Sequence, residues 1–177
     1  MSQLTATPLT IPDVVSRYAD WQSGDEAVVC GDQRFTWAEF VAAYHRVANA
    51  LIARGLEKGE KVCLLTRSDA EMLILIFGVV KAGGTVVPLS PLFEEQGIAR
   101  MIERSDSRLL FATENNRAKV EAIRDSLGGL PPDGLIAVDF DAAGWTGFDA
   151  FLGDAHSGDP GIPLSSDDDF NIMYTSG

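Results

Sequence analysis

Residues 61–89 read KVCLLTRSDAEMLILIFGVVKAGGTVVPL, and this stretch decides the fold. Lys61–Leu65 is short, apolar after its first residue and followed by polar residues, the pattern of a buried strand. Ser68 and Glu71 stand in capping-box spacing and open a helix that runs to the Gly83-Gly84 pair, where a left-handed stop is expected. Met72, Leu73, Ile74, Leu75, Ile76, Phe77, Val79 and Val80 make that helix apolar nearly all round, so it must be covered on most sides. Thr85–Leu89 is strand-like again. A strand, a covering helix and a second strand in succession form the unit from which parallel sheets are built.

The same alternation extends towards the C-terminus. Phe93–Ser105 reads as a helix with Ile98, Met101 and Ile102 inward, Leu109–Ala112 as a strand, Arg117–Leu127 as a helix and Leu135–Val138 as a strand. Residues 139–169, rich in Gly, Asp and Pro, read as a long irregular connection with one short helix near Trp145–Leu152. Phe170–Tyr174 reads as the last strand. Towards the N-terminus, Pro12 suits a first helical turn, and Val14, Val15 and Tyr18 give residues 12–20 an apolar face. Ala27–Gly31 and Arg34–Thr36 form a small hairpin around Gly31-Asp32. Thr36 and Glu39 make a second capping box, opening a long helix that Gly55 stops. The expectation is an α/β fold: a mostly parallel sheet flanked by helices, with a small hairpin near the N-terminus.

Charge and composition narrow the function. Acidic side chains outnumber basic ones by 26 to 14, a net charge of −12 that repels nucleic acid and anionic membranes. Cys30 and Cys63, each in a strand-like run, read as buried reduced thiols. With His45 and His156 far apart in sequence, no metal-ligand spacing is present. Met1–Ile11 lacks the basic end and apolar core of a signal peptide. Met72–Val80 is too short for the roughly 20 residues a membrane span needs. A cytoplasmic protein without a membrane span is expected.

Ligands of α/β sheets bind beyond the carboxyl ends of the strands, so the strand exits carry the functional reading. Thr66-Arg67-Ser68-Asp69 lacks the paired glycines of a dinucleotide site and reads as a helix cap. Pro88-Leu89-Ser90-Pro91 loses backbone donors to its two prolines and reads as a structural corner. Tyr174-Thr175-Ser176-Gly177 sets two hydroxyls and a glycine directly after a strand, a turn able to cradle phosphate oxygens, although Ser/Thr/Gly turns are common without that role. No Gly-Lys-Ser/Thr of a Walker loop occurs. Asp167-Asp168-Asp169 lies in an extended run where neighbouring carboxylates do not converge, so it reads as a solvated turn. No catalytic Ser/His/Asp or Cys/His set can be assembled, which leaves the catalytic and metal assignments empty.

Three segments in this order resemble the adenylate-forming superfamily of acyl-CoA synthetases, peptide-synthetase adenylation domains and luciferases. They are Phe35-Thr36-Trp37-Ala38-Glu39-Phe40, with Trp for the usual Tyr; Val80-Lys81-Ala82-Gly83-Gly84-Thr85-Val86-Val87-Pro88-Leu89; and Phe170-Asn171-Ile172-Met173-Tyr174-Thr175-Ser176-Gly177. The resemblance spans about residue 11 to the end. It implies that residues 1–177 are the N-terminal portion of an AMP-binding domain, reaching the start of its phosphate loop. Thr175, Ser176 and Gly177 are then the ATP-site candidates. The intact enzyme it implies is an acid–CoA ligase of acyl-CoA synthetase type that uses ATP, Mg2+ and coenzyme A to activate a carboxylic acid. Ser90, where amino-acid-activating relatives commonly carry aspartate, inclines the acid towards acyl or aryl. The fragment alone is expected to be inactive and to self-associate through an apolar face. An amino-acid adenylation domain and a free-standing, non-catalytic α/β binding module are the alternatives.

Overall fold

The computed structural model describes residues 9–175. Six α-helices and seven strands are described within that span. Helix α1 (Ile11–Trp21) is followed by the hairpin β1 (Glu26–Cys30) and β2 (Gln33–Thr36), then by α2 (Trp37–Ala53). The sheet unit begins with β3 (Lys61–Leu65), α3 (Ala70–Lys81) and β4 (Thr85–Pro88). It continues through α4 (Glu95–Arg104), β5 (Ser107–Ala112), α5 (Glu114–Ala122), a 3-10 turn at Arg124–Ser126 and β6 (Leu135–Ala137). It closes with β7 (Thr146–Gly147) and α6 (Phe148–Leu152).

The five strands β3 to β7 are all parallel, in the order β4-β3-β5-β6-β7. Side chains alternate between two cores, as a pleated strand requires. Val62, Leu64, Val86, Leu109, Phe111 and Ile136 face the core that α2, α3 and α6 share. Cys63, Leu65, Val87, Leu110, Ala112 and Leu135 face the one beneath α4 and α5. A sheet covered on both faces explains why its strands are almost continuously apolar.

The punctuation marks act as expected where glycine is concerned. Gly55 and Gly83 lie at φ of 81° and 84°. At each helix end two backbone bonds close the last turn: Leu56 N to Leu51 O and Gly55 N to Ile52 O after α2, Gly84 N to Val79 O and Gly83 N to Val80 O after α3. Both are Schellman ends, and the left-handed conformation is what glycine supplies there. The Thr36–Glu39 capping box is formed. The box expected at Ser68 and Glu71 is not. Asp69 caps α3 instead, accepting from Met72 N at 3.1 Å, while Glu71 accepts from Gln33 of the hairpin. A carboxylate one residue closer to the helix does the work assigned to the serine.

Three further expectations change. Cys63 is buried, and burial pushes its thiol up to about 11, but Cys30 is only half-buried on the hairpin. The apolar face of α1 is divided. Val15 and Ala19 pack inward, whereas Ile11, Val14, Tyr18 and Trp21 form an exposed row, with Trp21 75% exposed. Phe170–Tyr174 does not form a strand. It joins the sheet through a single parallel bridge, Asn171 to Val86, beside β4. The connection 139–169 also holds more order than composition indicates: the two-residue β7 pairs with β6, and Trp145 Nε1–H donates to Glu121 at 2.7 Å to anchor it on α5.

Candidate functional site

Counted along the sheet, the order β4-β3-β5-β6-β7 changes direction at β3, so the crevice where such sheets usually bind ligands lies between the carboxyl ends of β3 and β5. Here that crevice is occupied by the chain's own groups. Asn116 Nδ2 donates to Leu65 O at 2.9 Å, and Arg67 pairs with Asp69 at 3.3 Å and Asp139 at 3.1 Å. The Thr66 hydroxyl is buried there without a partner, yet the surrounding carboxylates of Asp69 and Asp139 make a poor setting for an anion. The reading of Thr66–Asp69 as a helix cap is correct in kind, with Asp69 as the cap.

The corner after β4 is structural, as its prolines indicate. Leu89 N extends the ladder to Leu64 O at 2.9 Å, and the Ser90 hydroxyl accepts from Leu92 N at 3.2 Å. Lys119 then fastens the loop by donating to Pro91 O at 2.7 Å and Phe93 O at 2.8 Å.

The remaining exit is the one that follows Phe170–Tyr174. Val86 N donates to Phe170 O at 3.1 Å and Ile172 N to Val86 O at 2.8 Å, so this segment runs parallel to β4 on its outer edge. Ile172 and Tyr174 pack against the core beneath α4, and the Tyr174 hydroxyl donates to Met101 O at 3.0 Å. Thr175 stands as far beyond Asn171 as Ser90 stands beyond Val86, so it lies past the carboxyl end of β4, and its side chain is exposed. Of the three ATP-site candidates, Thr175 is therefore at a ligand-binding edge of the sheet. Ser176 and Gly177 lie outside the described residues.

The acidic run before this segment is dispersed, as extended backbone requires. Asp168 accepts from Ser165 N at 2.7 Å and pairs with Lys58 at 2.8 Å. The Lys58 hydrogen bond, followed by the one from Ser165, holds the Asp168 carboxyl below the ordinary carboxylate range. Asp167 and Asp169 are exposed, and Thr85 Oγ1 donates to the Asp169 carbonyl at 3.2 Å. Among the described residues no group of His, Cys, Asp and Glu is placed to hold a metal ion, and no helix is long and apolar enough to cross a membrane.

A doubly wound parallel sheet that presents a hydroxyl-bearing turn beyond its carboxyl edge has the architecture of α/β proteins that bind ligands at strand ends. Within that class, the sequence profile of the AMP-binding enzyme family matches residues 15–177. The chain belongs to that family. Its relatives include the long-chain-fatty-acid–CoA ligase FadD13 of Mycobacterium tuberculosis, 29% identical over 82% of this chain and 28% of the ligase. Malpinin synthetase of Mortierella alpina is 35% identical over 64% of this chain, a stretch amounting to 1% of that protein. Among solved structures, the N-terminal domain of FACL13 from Mycobacterium tuberculosis superposes with a TM-score of 0.81 and 27% identity, over 94% of this chain and 41% of that one. The chain thus spans less than a third of the full-length relatives named here. These comparisons agree with the α/β fold and the adenylate-forming resemblance read from the three motifs.

Proposed function

We propose that this chain is the N-terminal portion of an ATP-dependent acid–CoA ligase, with Thr175, Ser176 and Gly177 opening its phosphate loop. The observation that carries the reading is the placement of Thr175 past the end of β4, in a chain that matches the AMP-binding enzyme family through its last residue. A free carboxylate is a poor electrophile. Attack by its oxygen on the α-phosphorus of ATP forms an acyl-adenylate and releases pyrophosphate. The thiol of coenzyme A, as thiolate, then attacks the acyl carbon and AMP departs with the electron pair of the broken C–O bond. Hydroxyl and backbone N–H donors at the turn would hold phosphate oxygens as charge builds on them. Magnesium, when bound, would offset the triphosphate charge. Its ligands are not among the described residues. The acid belongs to the acyl or aryl class on this reading, and the enzyme acts in the cytoplasm.

The names of the peptide-synthetase-like relatives favour a second reading, an amino-acid adenylation domain. Pyrophosphate exchange separates the two. The full protein carrying this sequence should exchange label into ATP with fatty or aryl acids and not with amino acids. The isolated 177-residue chain should neither exchange nor bind ATP. Exchange with amino acids alone would transfer the chain to the second reading, and micromolar ATP binding by the isolated chain would favour a free-standing binding module.

The exposed row on α1 and the open outer edge at Asn171 also offer apolar and unpaired surface. We propose that the isolated chain self-associates through them. Sedimentation should show species heavier than the monomer that shift towards it when Trp21, 75% exposed, is replaced by lysine. A monomer at all concentrations would rule this out.

A further inference from the structure

Lys81 is the one buried lysine, arginine, aspartate or glutamate among the described residues, at 4% exposure on the last turn of α3. A charge so far from water is retained only with a partner. That partner is Asp159, 2.8 Å away, in the irregular stretch between α6 and the phosphate turn. Burial acts to raise the Asp159 carboxyl, but the Lys81 hydrogen bond, the Gly161 N–H and the Lys81 charge together bring it below the ordinary range. The same pocket holds Asp13 on α1, the Tyr44 hydroxyl bonded to Ser16, and His45, whose Nε2 is buried without a partner and whose ring is driven towards neutrality by burial. Lys81 is therefore the cation that meets Asp159 from within the fold.

The stretch from Gly153 to Asp169 has no regular structure of its own, so its path is defined by what fastens it. Arg46 donates to Gly153 O at 2.9 Å. Asn49 donates to His156 O and Gly158 O, both at 2.8 Å. Lys58 holds Pro163 O at 3.0 Å together with Asp168. Of these fasteners only Lys81 acts from a buried position, near the middle of the strap. Immediately after the last of them the chain meets β4 at Val86 and proceeds to Thr175.

We infer that Lys81, acting through Asp159, is a positioning residue for the phosphate turn: it fixes the path of the strap and so the register of Phe170–Thr175 on β4. The nucleotide arm of the test rests on the proposed ligase activity; the structural arm does not. In the full protein, Lys81→Met should raise KM for ATP on the order of tenfold, the scale of a small misplacement, and leave KM for the acid unchanged. It should also speed exchange of the Ile172 amide, which donates to Val86 O, while amides of β3 keep their protection. Lys81→Arg should recover most of both effects. Asp159→Asn, at a half-exposed position that folding tolerates, should reproduce them in weaker form and decides the matter if Lys81→Met does not fold. Unchanged ATP KM and unchanged Ile172 exchange would overturn the inference. So would an equal loss of protection across β3, which would make Lys81 a general stabiliser only. If the unmodified protein exchanges pyrophosphate with no acid, the ligase reading fails, and Ile172 exchange alone decides the role of Lys81.

Discussion

Gly78→Ala should destabilise the protein by about 2 kcal/mol, and Gly78→Val should prevent cooperative folding. Gly78 lies in α3 where that helix crosses α2. A Cβ added there would sit 2.6 Å from Val47 Cβ, closer still to Val47 Cγ1, and 3.2 Å from Tyr44 O. The obstacle is close to the α2 backbone, so no side-chain rotation removes it, and the helices must separate. Overpacking of this kind costs about 1–3 kcal/mol, and alanine regains about 1 kcal/mol of helix propensity. Because the contact is with a β-carbon, the upper end of the first range applies. Valine adds two methyl groups to the same space. Denaturant midpoints of the variants measure the effect, and an alanine variant as stable as the parent would show that the helices do not touch there.

Phe111→Ala should cost about 3–5 kcal/mol, the range for removing a large aromatic from a packed core. That is a large part of the 5–15 kcal/mol typical of a domain. Phe111 is fully buried on β5, meeting Phe151 edge-on at 5.0 Å and Phe148 at 6.5 Å. These two rings are the inward side chains of α6, a five-residue helix that cannot sustain itself. Arg54 stacks over Phe151 from outside, 5.1 Å from its ring centre. The variant should therefore lose amide protection in Phe148–Leu152 before the rest of the molecule. Uniform loss of protection, with α6 no weaker than β5, would contradict the assignment of Phe111 as its anchor.

The elements legible in the sequence are those decided by local chemistry. Glycine stops at Gly55 and Gly83, the Thr36–Glu39 cap, the apolar runs of β3 to β6 and the all-apolar α3 needed no tertiary information. What escaped was decided by competition between distant groups. Ser68 and Asp69 are equally good caps on paper, and Glu71 is drawn to Gln33 across the hairpin. β7 is two residues long and exists because β6 is beside it. Phe170–Tyr174 has the composition of a strand, but its regular pairing ends after one bridge. Lys81 stands in a motif that resembles a family pattern, but nothing in Val80–Leu89 reveals that its charge is buried against a residue 78 positions away. The placement of Thr175 was foreseen only because a strand exit is a ligand-binding position by topology.

The two hydrogen bonds at Val86 hold Phe170–Tyr174 far more lightly than the five registered pairs that join β3 to β5. The outer segment can consequently peel away while the frame behind it stays whole. Whatever rests on Thr175 is thus seated on a hinged panel instead of a wall, and its arrival and departure need disturb only that panel's latches.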